Sequence, residues 1–97
     1  MKKIVYRPMA EKDVGEAFIW YEQQRVGLGR QFLDELSRAE NSIAMTPLAY
    51  QIIKRDARRC MLHRFPYQLI YRLVGEQVVV LACFHGRRSP KRSSSRL

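Results

Sequence analysis

Two strand-like segments separated by only two residues constrain the fold of this 97-residue chain more than any other feature. Residues 67–74 read YQLIYRLV and residues 77–84 read QVVVLACF, with Gly75 and Glu76 between them. Such a short connection predicts a β-hairpin, and glycine suits the first central position of its turn. The second segment is apolar at nearly every position, which indicates a central strand covered on both faces.

The N-terminal half has the periodicity of two helices that follow a short strand. Residues 2–7 (KKIVYR) form a β-rich run. From about residue 9 to 25, and again from about 30 to 45, apolar side chains recur every three or four residues, which is the period of an amphipathic helix. Gly27 and Gly29 interrupt this period. A connection of about four residues predicts that the two helices form an antiparallel hairpin.

The segment between the helices and the C-terminal hairpin completes the predicted order. Residues 50–55 and 58–65 are interpreted as one extended or bent strand region. The order is then β-α-α-β-β-β, which predicts an α+β two-layer fold with the helical hairpin packed on one face of a mostly antiparallel sheet. No element remains to cover the opposite face. Its apolar side chains should therefore be partly exposed, and they should need a partner or a second copy.

Length and charge limit the domain organisation and the kind of partner. A chain this short carries one domain, which we assign to residues 1–86, followed by a basic tail over residues 87–97. The formal net charge is +9, and the stretch from residue 86 to 97 contains five basic and no acidic side chains. A surplus of this size predicts an acidic partner: a nucleic acid, an acidic protein or an anionic membrane surface.

Several classes of protein are excluded by what the sequence lacks. No apolar run approaches the ~20 residues that span a bilayer, and the N-terminal segment lacks the apolar stretch of a signal peptide. We therefore expect a cytoplasmic protein in which Cys60 and Cys83 are reduced thiols, because a disulfide would require their strands to be neighbours. With His63 and His85 they do not make a zinc ligand set. No nucleotide-binding or hydrolase motif occurs either, so no metal and no cofactor is expected.

The C-terminal half carries the most distinctive pattern. Arg58 and Arg59 precede the segment RFPY (64–67), and the last apolar strand ends in HGRR (85–88). On these residues the chain resembles the RelE/ParE superfamily of bacterial toxins from toxin–antitoxin modules, and most closely its ParE-type, plasmid-stabilisation branch. The resemblance extends over about residues 2–90, and it implies the RelE-like fold, which agrees with the order of elements inferred above.

What the resemblance implies is a toxin held silent by a cognate antitoxin encoded beside it. Such antitoxins are small acidic proteins, ParD-like or similar, with a DNA-binding half and a C-terminal segment that wraps the toxin. The toxin would meet DNA only through this hetero-oligomer. A disordered acidic chain that folds on binding would also suit the basic charge and the exposed apolar surface expected above. The candidate antitoxin contacts are Phe18, Trp20, Arg58, Arg59 and Arg72.

The branch of the superfamily decides the chemistry. ParE-like members inhibit DNA gyrase, whereas RelE-like members cut messenger RNA on the ribosome. Cutting RNA at the 2′-hydroxyl needs a base, an acid and cations, which lysines, arginines and a C-terminal tyrosine supply in the RelE pattern. Here no tyrosine follows Tyr71, and Lys54 is the only lysine in the strands after the helices. Arginine is a poor general base, so the first hypothesis is gyrase inhibition and growth arrest by a binding protein that is not an enzyme.

Two alternatives stay open. One is a ribosome-dependent mRNA endoribonuclease, whose candidate catalytic residues are His85, Arg59, Arg88 and Lys54. In it His85 would act as acid or base near neutrality; the other interpretation is a strand-end histidine that hydrogen-bonds backbone or an adjacent tyrosine. The second alternative is a nontoxic relative that only forms the antitoxin complex and represses its own promoter.

The tail departs from the family pattern because no aromatic residue follows Pro90. The C-terminal region of this branch is implicated in contact with the target, so the resemblance implies a role for the basic side chains of the tail. Our candidates for contact with gyrase or the gyrase–DNA complex are Arg87, Arg88, Lys91, Arg92 and Arg96.

Overall fold

The computed structural model describes residues 1–86, in which two helices pack on one five-stranded sheet. The elements are β1 (Lys3–Tyr6), α1 (Pro8–Gln24), α2 (Leu28–Met45), β2 (Gln51–Lys54), β3 (Ala57–Met61), β4 (Tyr67–Val74) and β5 (Gln77–His85). The strand order is β1-β5-β4-β3-β2; β1 runs parallel to β5, and the other pairs are antiparallel. The predicted α+β two-layer fold is confirmed. Within the described part, neither helix has the length and apolarity to cross a membrane.

The segment after the helices differs from the single strand region that the sequence predicts. It forms two antiparallel strands, β2 and β3, joined by a tight turn at Arg55 and Asp56. Arg55 has a φ of 53°, which is uncommon for a residue other than glycine. This turn contains neither glycine nor proline, so the sequence carries no turn signal between the two strands. The strand prediction also extended too far, since residues 62–66 form the connection to β4.

The main core lies between the helical hairpin and the sheet. The predicted apolar face of α2 is buried in full, and it packs on the inner side chains of β4 and β5. Four aromatic rings form its centre, with centroids 4.8 to 5.9 Å apart in the contacting pairs. These rings belong to Tyr21, Phe32, Phe65 and Tyr67. Two of the four come from the RFPY segment, so part of that motif serves the core.

The junction between the helices depends on one carboxylate. Glu22, near the end of α1, accepts the backbone N–H groups of Gly27 at 3.0 Å and Gly29 at 2.9 Å. These are N–H groups that the start of a helix leaves without intrahelical partners. Gly27 has a φ of 91°, a conformation that favours glycine. At Gly29 an added Cβ would lie 2.8 Å from the Phe18 ring, so glycine permits the close approach of α1 and α2.

The outer face of the sheet, away from the helices, is buried at its centre, where the sequence predicts partial exposure. Ile70, Leu81, Ala82 and Phe84 are each at most 3% exposed, and they form a second apolar cluster with Ala57. A bulge in β5 contributes to this cluster: Ile70 pairs with Ala82 and Tyr71 with Val80, so Leu81 is an extra residue in its strand. The expectation of a partly exposed apolar face therefore holds for Val74, which is 51% exposed, and for the partly buried Val79, but it fails for the centre of the face.

The two cysteines lie as predicted on strands, and both are free and buried. Cys60 on β3 and Cys83 on β5 pair with the same residue of β4, Leu69, from opposite sides. They are therefore two strand spacings apart, roughly 9.5 Å, which is beyond the Cα–Cα reach of a disulfide.

Candidate functional site

A cleft of about 370 Å³ opens between α2 and β3, and we call it the α2–β3 cleft. Its lining consists of Glu35, Arg38, Ala39, Ser42, Tyr50, Cys60, Met61, His63 and Arg64. Charged groups of both signs therefore face an opening bounded by a helix on one side and a strand on the other. Burial raises the pKa of the Cys60 thiol, which disfavours the reactive thiolate there.

Glu35 and Arg64 reach this cleft for different local reasons. Glu35 lies three residues after Phe32 and four before Ala39, so helical spacing places it beside the buried face of α2, and it is only 6% exposed. Arg64 follows β3 in a left-handed conformation, with a φ of 70°. Its Nη2 donates to Gln31 Oε1 at 2.7 Å, which fixes the guanidinium beside α2. The sequence analysis missed Glu35, although its position within the apolar spacing of the helix was the available signal.

A second cleft, the Trp20 cleft, is lined by Trp20, Tyr21, Pro66, Tyr67 and His85. Trp20 is 54% exposed and meets Tyr21 edge to face at a centroid distance of 5.1 Å. The His85 ring contacts Tyr67 in the same way at 5.4 Å. The contact agrees with the interpretation of His85 as a strand-end residue beside a tyrosine. The indole is exposed, whereas Phe18, the other helix residue proposed for antitoxin contact, is half-buried against the start of α2.

The three arginines proposed for antitoxin contact do not share one surface. Arg58 lies on the helix side of the sheet, where its Nη1 donates to the carbonyl oxygens of Tyr50 at 2.7 Å and Leu48 at 3.2 Å. It therefore holds the loop between α2 and β2. Arg59 and Arg72 belong to the outer face: Arg59 donates to the Gln51 side chain at 2.7 Å. Arg72 Nε lies 3.2 Å from Asp56 Oδ1, an ion pair without hydrogen-bond geometry.

The candidate catalytic residues of the endoribonuclease alternative are not brought together. Lys54 pairs with Ala57 at the beginning of β3, on the edge strand of the sheet. His85 pairs with Tyr67 at the beginning of β4, three strands away and at the other end of the sheet. Strand spacing and rise put their backbones roughly 20 Å apart. Arg59 lies between these levels on the outer face, so the three side chains do not converge on one phosphate.

Two further expectations concern a metal site and the basic tail. Among residues 1–86, no cluster of histidine, cysteine or carboxylate side chains could hold a metal ion. The five tail residues proposed for target contact lie outside the described residues, as does Arg88 in its catalytic role. They are Arg87, Arg88, Lys91, Arg92 and Arg96.

Two helices on a five-stranded sheet in this order are the fold of the RelE/ParE-type toxins. A chain of the chromosomal ParDE system from P. aeruginosa superposes with a TM-score of 0.76 at 13% identity, covering 88% of this chain and 96% of that one. The intact E. coli RelBE toxin–antitoxin complex contains a chain with a TM-score of 0.68 at 17% identity, covering 91% and 100%. The isolated E. coli RelE toxin gives 0.67 at 18%, covering 98% and 95%.

The sequence itself decides between the branches that share this fold. The profile described as the ParE toxin of type II toxin–antitoxin systems, parDE, matches residues 4–90. The chain therefore belongs to the ParE toxin family of type II toxin–antitoxin systems. No curated protein matches the chain closely enough to extend this assignment to a target.

Proposed function

We propose that this protein arrests growth by binding DNA gyrase, and that a cognate acidic antitoxin neutralises it in a cytoplasmic hetero-oligomer. The observation that carries the proposal is the family match over residues 4–90. The formal charge of +9 favours an acidic protein as the neutralising partner. In such a complex DNA is contacted through the antitoxin.

The distribution of cations also supports a binding protein over an endoribonuclease. General acid–base catalysis requires groups within hydrogen-bond reach of the reacting atoms, and Lys54 and His85 lie at opposite ends of the sheet. We propose that residues 1–86 form the single domain and that the basic tail adds contact with gyrase or gyrase–DNA. The tail residues assigned this role are Arg87, Arg88, Lys91, Arg92 and Arg96.

Expression under a tight promoter, with and without the neighbouring antitoxin gene, tests this proposal. We expect growth arrest with filamentation and a DNA-damage response, relieved by the antitoxin, and inhibition of supercoiling by purified gyrase. A control in which Lys54 and His85 are replaced by alanine and glutamine should stay toxic. Rapid loss of translation with cleaved messages, abolished in that control, would instead establish the endoribonuclease; no effect on growth would leave the nontoxic relative.

A second variant tests the tail. Serine at Arg87, Arg88, Lys91 and Arg92 should abolish growth arrest and gyrase inhibition while antitoxin binding is retained. Full toxicity of this variant would refute the role of the tail and leave gyrase binding to residues 1–86.

A further inference from the structure

Glu35 is a buried carboxylate for which the described structure supplies no partner. Its side chain is 6% exposed and lines the α2–β3 cleft. Within residues 1–86 it takes part in no hydrogen bond and no ion pair. The other buried carboxylate of the fold, Asp13, accepts the backbone N–H of Cys83 at 3.0 Å. Of these two carboxylates, one is thus used by the fold and the other faces an open cleft.

The Glu35 carboxylate keeps contact with the water of the cleft, because neither of its oxygens is among the buried side-chain atoms that lack a hydrogen-bond partner. It is therefore open to a counter-charge or a hydrogen-bond donor that enters the cleft. Arg38 and Arg64 line the same cleft, but neither forms an ion pair with Glu35, and Arg64 is already held by Gln31. The left-handed backbone of Arg64 is an unfavourable feature at the same opening. A ligand that completes the site would account for an unpaired carboxylate beside this strained residue.

We propose that the α2–β3 cleft is a subsite for one basic side chain, lysine or arginine, of the antitoxin, with Glu35 as its acceptor. The inference rests on the proposed function, because the partner is the neutralising protein named there. Arg38 and Arg64 at the rim contact acidic side chains on either side of that basic residue. The bound segment thus has an acid–base–acid pattern that complements the one carboxylate and two guanidinium groups of the lining.

This arrangement gives the complex selectivity that overall charge does not supply. Any acidic segment is attracted to a protein of charge +9. A buried acceptor accepts only a segment that places a cation at one position, since a misplaced acidic or apolar side chain leaves Glu35 unpaired. Glu35 therefore fixes the register of the antitoxin on the toxin, while the rim arginines contribute to the rate of association.

The test compares two substitutions on adjacent residues of α2. Glu35→Gln removes the charge and keeps the shape, and Asp34→Asn removes the same charge from an outward-facing ion pair with Arg30. The probe is the full-length protein encoded beside the toxin, titrated against each purified toxin variant. We expect Glu35→Gln to weaken binding on the order of 10- to 100-fold, and Asp34→Asn to change it less than about threefold.

Thermal unfolding of the free toxin separates recognition from a structural role. Because the carboxylate has no partner in the described structure, Glu35→Gln should leave the melting temperature equal or higher. A charge-reversal screen then identifies the partner residue: Glu35→Lys should bind weakly, and one lysine- or arginine-to-glutamate change in the antitoxin should restore affinity.

Each outcome separates the inference from the proposed function. Wild-type affinity in Glu35→Gln would overturn the subsite while leaving neutralisation by the antitoxin intact. A marked fall in the melting temperature of Glu35→Gln, alongside its loss of affinity, would also overturn the subsite, since Glu35 would then serve the fold. If the wild-type toxin forms no complex with the neighbouring protein, the proposed neutralisation fails and the subsite fails with it.

Discussion

Replacing Tyr71 with phenylalanine tests how the sheet is tied to the end of α2. The Tyr71 hydroxyl donates to the carbonyl oxygen of Pro47 at 2.5 Å, and its side chain is 0% exposed. Tyr71→Phe keeps the ring in the core but leaves that carbonyl without its donor. A net hydrogen bond plus the penalty of leaving a part-buried acceptor unpaired gives a destabilisation of about 1–2 kcal/mol at neutral pH.

The same substitution should change how stability depends on alkaline pH. Burial raises the pKa of Tyr71 to about 12, from an ordinary value near 10. The folded state therefore keeps this proton where the unfolded chain has lost it, so this contribution is fully present below pH 10 and is lost as pH rises towards 12. Between pH 9 and pH 11 the wild type should lose about 1.4 kcal/mol through Tyr71 alone, and Tyr71→Phe cannot lose it.

Urea denaturation at several pH values, followed by circular dichroism, measures both effects. Burial also raises the pKa values of Tyr6 and Tyr21, but these residues are present in both proteins, so the difference between the two isolates Tyr71. The stability gap at neutral pH should nearly close by pH 11. A gap that stays constant to pH 11, or no gap at neutral pH, would refute the reasoning.

Three further predictions concern a helix–sheet hydrogen bond, the contact between the two helices, and the buried cysteines. Asp13→Ala should lower the free energy of unfolding by about 1–3 kcal/mol, because the N–H of Cys83 loses its acceptor; urea denaturation beside Glu11→Ala as an exposed control measures it, and equal effects would contradict the role. Gly29→Ala should cost about 1–2 kcal/mol despite a better helix propensity, since its Cβ meets Phe18; an unchanged melting temperature would contradict it. Cys60 and Cys83 are free and buried, so a thiol reagent should label neither at pH 8 until denaturant is added; rapid labelling of the native protein would show that the core opens.

The elements with a clear hydrophobic period could be predicted from the sequence, and the local departures could not. The α2 stripe and the hairpin at Gly75 follow from spacing alone, and both are observed. The β2–β3 turn could not be predicted because Arg55, which is not a glycine, adopts a positive φ. The β5 bulge could not be predicted because an extra residue in a largely apolar strand does not change its hydrophobic pattern. Both depend on pairing with neighbouring strands, which no single segment encodes.

The candidate site was harder to predict for a related reason. The resemblance drew attention to the RFPY segment, yet Phe65 and Tyr67 belong to the aromatic centre of the core, while Arg64 lines the α2–β3 cleft and Pro66 and Tyr67 also line the Trp20 cleft. A motif of this composition therefore indicates the fold more directly than the target. RelE- and ParE-type structures share that fold, so such a motif cannot separate gyrase from messenger RNA. The residues that determine partner specificity must lie at positions that the packing of the shared core does not constrain. In the described structure the exposed Trp20 and the unpaired Glu35 meet this condition.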